Sequence, residues 1–273
     1  MDILEVKEHL LHATQVVAQA GEIALRYFRR PILVENKQAG ADFDPVTLAD
    51  REVEAFIRQQ LARAYPDYGI SGEEGGETPP KKDERIGAGA GGRRWVIDPI
   101  DGTRAFISGV PTWGILLGLV DNDRAVGGIM HQPYLGESFF GTGQEAWMTH
   151  RGDHVPLRSH QNATLDQARL YCTHPDMFSR NEDLDAFRRV ADAVRLMRYG
   201  GDCYSYCLLA MGHIDLVIEG SLQPYDILPL IPIIEGSGGV VTDIEGNCPM
   251  EGGLVIAAAN KSLHQQAIDL MRQ

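Results

Sequence analysis

Residues 95–106 read WVIDPIDGTRAF, and they restrict the fold more than any other stretch. An apolar run, Trp95-Val96-Ile97, drives straight into Asp98 and Asp101, and Gly102-Thr103 follow at once. A buried strand that ends on two like charges must deliver them to solvent or to something positive, because paired carboxylates without a partner repel. Pro99 stiffens the link and lets both acids aim at one point, with the Ile100 carbonyl exposed between them. Gly102 and Thr103 then open a helix whose free N–H groups favour a phosphate. Strand end, acids and helix start mark the kind of corner where open sheets place ligands.

The surrounding chain has 273 residues, 44% of them hydrophobic, which suffices for one large domain or two closely packed ones. A formal net charge of -13 excludes nucleic acid and anionic membrane as partners, since a polyanion would be repelled by most of the surface. No span approaches the roughly 18 continuous apolar residues of a membrane crossing. The chain therefore reads as soluble, unexported and cytoplasmic. Cys172, Cys203, Cys207 and Cys248 lack the paired spacing of zinc or redox sites and read as packing thiols in a reducing compartment.

Ile3, Val6, Leu10, Ala13, Val17, Ala20, Ala24 and Phe28 recur at helical steps, predicting a long helix over 2–29 that ends before Pro31. A second helix runs from Thr47 to about Ala64, and Gly69-Ile70-Ser71 ends a short strand. Residues 74–94, rich in Gly, Pro and charge, read as a mobile surface loop whose Lys81, Lys82, Arg93 and Arg94 form a solvated charge run. From Trp113 to Met148 short strands follow one another as an antiparallel meander.

Past residue 155 strands and helices alternate. ARLYC, VRLMRY, IDLVIEG and LVIAAA read as strands, and helices are expected around 182–193, 202–211, 226–237 and 261–272, the last capped by Asn260. The architecture expected is α/β, layered, with helices between two sheets. The N-terminal half, 1–155, carries the DPIDGT motif, and the C-terminal half, 156–273, carries substrate-side residues and a last acid.

Three stretches place acids at strand ends or helix starts: SGEE around Glu73 and Glu74, DPIDGT, and PYD ending on Asp226. Each has a plain structural reading: an exposed loop, a proline turn with a capping aspartate, a helix N-cap. Thr47 and Asp50 likewise fit a capping box. Together, a divalent cation is the economical way to hold them, and Mg2+ takes about six hard oxygen ligands, some of them carboxylates and some from phosphate. Adjacent metal and anion sites describe phosphoryl transfer.

WVIDPIDGTRAF resembles the signature of the inositol monophosphatase superfamily of Mg2+-dependent phosphomonoesterases. The likeness continues in order through DPVTLADREVE, SGEEGGE, GGDCYSYCLLAMGHIDLVIEG and YDILPLIPIIEGSGGVVTD, and so covers nearly the whole chain. It implies an αβαβα sandwich, a homodimer and two or three Mg2+ per site. Glu73, Asp98 and the Ile100 carbonyl would hold one metal; Asp98, Asp101 and Asp226 would hold a second. Thr103, bonded to Asp50, would with Glu73 orient and deprotonate the attacking water, while the Gly102 and Thr103 N–H groups hold phosphoryl oxygens. No covalent phosphoenzyme is implied.

The segment Tyr225-Asp226-Ile227-Leu228-Pro229-Leu230, with FISGVPTWGILLGLV and Gly200-Gly201-Asp202-Cys203-Tyr204, is similar to the histidinol-phosphate phosphatase branch. By this resemblance Gly201, Asp202 and Glu219 line the alcohol side of the site. Carboxylates there suit a substrate with an ammonium and an imidazole beside its phosphate, although Asp202 also reads as a helix N-cap. The expected activity is hydrolysis of L-histidinol phosphate, the last dephosphorylation of histidine synthesis. The alternatives are an inositol phosphatase, a broader sugar or nucleotide phosphatase, and a non-catalytic regulator of the same fold.

Overall fold

Asp2 starts the first helix by accepting the Glu5 N–H at 2.9 Å, and the computed structural model describes the chain from there over residues 1–31, 34–36, 45–80 and 92–273. The N-terminal elements are α1 (Ile3–Leu25), β1 (Val34–Asn36), β2 (Pro45–Thr47), α2 (Leu48–Ala64), β3 (Gly69–Gly72), β4 (Gly76–Thr78), β5 (Arg93–Asp101) and α3 (Thr103–Ser108). A meander follows: β6 (Gly114–Asp121), β7 (Arg124–Gln132), β8 (Glu137–Gly141), β9 (Ala146–His150) and β10 (Asp153–Pro156). The rest comprises β11 (Arg169–Cys172), α4 (Asn181–Ala193), β12 (Leu196–Tyr199), α5 (Asp202–Ala210), β13 (Leu216–Leu222), α6 (Pro224–Ile227), α7 (Ile231–Gly236), β14 (Val240–Thr242), β15 (Gly253–Ala258) and α8 (Lys261–Met271).

Two sheets carry the layers. Eight strands order as β10-β9-β8-β7-β6-β5-β3-β4 and five as β12-β11-β13-β15-β14. Alternation along β5 and β6 splits the first sheet's apolar residues between two cores. Trp95, Ile97, Ile115 and Leu117 face α1 and α2, whereas Val96 and Leu116 face the helices that separate the sheets. Cys203, Tyr206, Ile227 and Ile231 fill that middle layer against Val217 and Val255 of the second sheet. The outer face of that sheet, with Leu170, Leu216 and Ile256, packs on Phe187 of α4 and Leu263 of α8. The result is the expected αβαβα sandwich. Among the described residues no helix is long and apolar enough to cross a membrane.

Four expectations change. The first helix stops at Leu25, and residues 26–29 form a turn that inserts Phe28 among Phe106, Trp113 and Tyr134. The span 74–94 is not wholly loop: β4 pairs with β3, and Arg93 and Arg94 belong to β5, while Lys81 and Lys82 lie outside the described residues. Cys248 is exposed and does not pack, unlike the three buried thiols.

The fourth concerns 226–237, which is two short helices, α6 and α7, instead of one. Gly118, Gly128 and Gly141 stand opposite one another on β6, β7 and β8 and make a bare stripe across the sheet. The chain at Pro229–Pro232 lies directly on it: a Cβ at 128 would overlap the Pro229 carbonyl, and one at 141 the Pro232 backbone. Leu228 and Leu230 keep right-handed helical dihedrals, and Pro229 and Pro232, which have no N–H to donate, interrupt the helix hydrogen bonds between α6 and α7. The stripe thus holds the chain three residues after Asp226 close against the sheet.

Candidate active site

Asp98 and Asp101 sit at the end of β5, where its pairing with β6 slips between the two acids. Pro99 cannot donate to the ladder, so the slip costs no bond there, and the chain folds back until the Asp98 carboxylate accepts the Ile100 N–H at 3.0 Å. Gly102 adopts φ +79° as the N-cap of α3, a left-handed conformation that favours glycine. Asp226 arrives from α6, held by the Gln223 N–H at 2.7 Å. Asp98, Asp101 and Asp226 each present an oxygen within 4.8 Å of the others.

Burial pushes the Asp98 carboxyl well above the usual carboxylate range, and the charges of Glu73, Asp101 and Asp226 add to it. Asp101 is raised likewise by burial and then by Asp226 and Asp202, although the Cys203 N–H at the start of α5 donates to it at 2.7 Å. One buried and two half-buried carboxylates that repel one another and offer only hard oxygens fit a divalent cation such as Mg2+. Glu73 stands beside them on the β3–β4 turn, its N–H bonded to the Ile97 carbonyl at 3.3 Å.

The structure places the other expected residues less uniformly. Thr103 donates its hydroxyl to the Ile100 carbonyl at 3.2 Å and not to Asp50. Asp50, buried on α2, forms the expected capping box, accepting the Thr47 N–H at 2.8 Å and hydroxyl at 2.5 Å. Burial raises its pKa against those bonds, with the Glu74 charge adding a little.

Asp202 is not a helix N-cap; Gly201 takes that position, and Gly200, Gly201 and Asp202 all have positive φ, +83°, +146° and +46°. A non-glycine residue held there stores strain, which marks functional corners. Two bonds hold it: Asp202 N–H to the Thr173 hydroxyl at 3.1 Å, and the Thr112 hydroxyl to the carboxylate at 2.6 Å. Its Cβ and Cγ lie 2.9 Å from where a Cβ on Gly102 would be, so Asp202 overhangs the N-cap of α3.

Glu219 on β13 is buried and taken up internally, accepting from the Thr173 N–H at 2.8 Å and the Tyr206 hydroxyl at 2.9 Å. Burial pushes it up to about 7. Sequence reasoning missed two residues, Thr112 and Glu54. Nothing in the sequence marks Thr112. Glu54 was detectable, because it follows Asp50 by one helical turn beside Val53 and Ile57, and a charge on a buried face needs a reason.

The model of the inositol monophosphatase family matches residues 5–273. The Arabidopsis thaliana bifunctional phosphatase IMPL2 is 37% identical over 92% of this chain and 71% of its own length. A histidinol-phosphatase from Chlorobaculum parvum is 34% identical over 94% of this chain and 93% of its own. A solved inositol monophosphatase from Zymomonas mobilis is 35% identical, covers 98% of both chains and superposes with a TM-score of 0.81. Fold and acids together define a metal-dependent phosphatase of the layered αβαβα type. The chain belongs to the inositol monophosphatase family.

Proposed function

We propose that this phosphatase hydrolyses L-histidinol phosphate to L-histidinol and phosphate. The observation that carries the reading is Asp202, strained, doubly held and overhanging the α3 N-cap where the phosphate of a substrate would rest. An acid there meets the ammonium or imidazole of histidinol phosphate, whereas inositol would offer it only hydroxyls. Glu219, already taken up by Thr173 and Tyr206, supports the position of α5 against β13 more than it supports a ligand.

In this reading Asp98, Asp101, Asp226, Glu73 and the Ile100 carbonyl hold two or three Mg2+. Bound there, the ions neutralise phosphoryl charge and make water a stronger nucleophile. Glu73 takes the proton of the attacking water, and Thr103 orients that water once its hydroxyl turns from Ile100 toward Asp50. The Gly102 and Thr103 N–H groups hold phosphoryl oxygens. Water adds to phosphorus, the ester oxygen leaves with the bonding pair and is protonated, and no group is left on the protein.

The resemblance further supports a homodimer, which light scattering on the purified protein would test. Turnover of histidinol phosphate against inositol 1-phosphate under Mg2+ tests the substrate. We expect a large preference for the former; a large preference for the latter would overturn it. An inositol phosphate ester is the second reading, favoured by likeness to the Zymomonas mobilis inositol monophosphatase.

A further inference from the structure

We propose that Glu54 is a positioning residue that presents Glu73 to the metal site; this rests on the reading of Glu73 as a metal ligand. Glu54 is 2% exposed on the inner face of α2. One carboxylate oxygen accepts the Glu74 N–H at 2.7 Å, and the other accepts the Gly75 N–H at 2.8 Å and Arg58 Nε at 2.6 Å. Arg58 neutralises the buried charge and reaches on to the Gly76 carbonyl. One ion pair thus ties down the backbone of three consecutive residues, Glu74, Gly75 and Gly76, immediately after Glu73.

From the other side the Glu73 N–H is bonded to the Ile97 carbonyl of β5, the residue before Asp98. Glu73 is therefore held between the strand that delivers Asp98 and a buried carboxylate that contacts no substrate. The glycines of SGEEGGE follow from this clamp. A Cβ at 72 would overlap the Glu54 carboxylate, and one at 75 would come within 2.8 Å of it and 2.7 Å of Arg58. Only a carboxylate suits the place, because it turns two acceptors toward N–H donors where an amide would turn one donor against a donor. Groups that orient metal ligands commonly govern affinity about 10–100-fold.

The test uses the full chain with Glu54→Gln, Arg58→Gln and Glu73→Gln. Hydrogen exchange is read on the metal-free proteins, and Mg2+ affinity by calorimetry. For Glu54→Gln we expect the amides of Glu74 and Gly75 to lose protection and Mg2+ to bind about 10–100-fold more weakly. We also expect kcat to recover toward wild type at high Mg2+. Lost protection with unchanged Mg2+ affinity would make Glu54 merely structural and overturn the proposal, as would no change in either.

If Glu54→Gln does not fold, Arg58→Gln decides. It leaves both backbone bonds to Glu54 but loosens their anchor, so a smaller weakening of Mg2+ supports the clamp and none overturns it. Glu73→Gln separates the two readings. If it leaves Mg2+ binding intact, the metal role of Glu73 falls; if it weakens binding while Glu54→Gln does not, only the clamp falls.

Discussion

The Thr112 hydroxyl donates to the Asp202 carboxylate at 2.6 Å, tying the loop after α3 to the first residue of α5. That bond fixes which way the acid faces, since the backbone of Asp202 is itself strained. A hydrogen bond to a charged group contributes about 1.5–3 kcal/mol. Thr112→Val keeps the shape and removes the donor. We expect KM for histidinol phosphate to rise about tenfold, corresponding to about 1.4 kcal/mol, with KM for phenyl phosphate almost unmoved. Steady-state kinetics on the two substrates checks this, and equal loss on both would detach Asp202 from recognition of the cation.

Glu219 sets a pH dependence of stability. Its proton leaves near 4.5 when the carboxyl is unperturbed but near 7 when it is buried between Thr173 and Tyr206. Between those values the folded state holds one more proton than the unfolded chain, so this contribution is fully present below about pH 4.5 and is lost as pH rises through about 7. A displacement of that size corresponds to about 3 kcal/mol. Gln at 219 can accept from Thr173 N–H and donate to the reversible Tyr206 hydroxyl. Chemical denaturation from pH 5 to 8 should therefore show wild type falling by a few kcal/mol relative to Glu219→Gln; parallel curves would show that Glu219 titrates alike in the folded and unfolded chain.

Much of this architecture is legible in the sequence. The strand into DPIDGT can be read because an apolar run broken by two acids has few physical uses, and the alternation past residue 155 can be read because its periods are clean. The capping box at Thr47 and the Asn260 cap follow from local spacing, and both are local hydrogen bonds. What stays hidden depends on tertiary approach. Gly118, Gly128 and Gly141 are scattered over three strands, and only register brings them together. The Thr112–Asp202 bond spans 90 residues, and the Glu54 clamp joins α2 to a turn 20 residues away, so neither leaves a local pattern.

Gly128 tests how the glycine stripe delivers Asp226. A methyl group there would overlap the Pro229 carbonyl, a backbone atom with no rotamer through which to escape. Overpacking commonly costs about 1–3 kcal/mol, and a clash with backbone belongs at the upper end. Gly128→Ala should lower the unfolding free energy by about 3 kcal/mol, and it should reduce Mg2+ affinity because α6 must lift. Gly136→Ala is a control for adding a methyl group in open space, although its φ of +71° carries its own cost. Thermal melts with and without Mg2+ read both effects, and a Gly128→Ala melt no lower than the control would remove the stripe's role.

Asp98 carries the largest expected loss. It is buried, it lies at the centre of Glu73, Asp101 and Asp226, and burial with those charges disfavours its ionised form more than burial alone would. Asp98→Asn removes the charge and almost no volume, so the metal-free variant should fold and be no less stable than metal-free wild type. Its phosphatase activity should fall by roughly a hundredfold or more, a scale typical of losing one electrostatic contact to the transition state. Wild type should gain about 2.7 kcal/mol when Mg2+ stands at about 100 times its Kd, and the variant should gain almost none. Melting curves across a Mg2+ series, beside activity before and after chelation, measure both quantities. Near wild-type turnover in Asp98→Asn would show that the three carboxylates do not hold the metal.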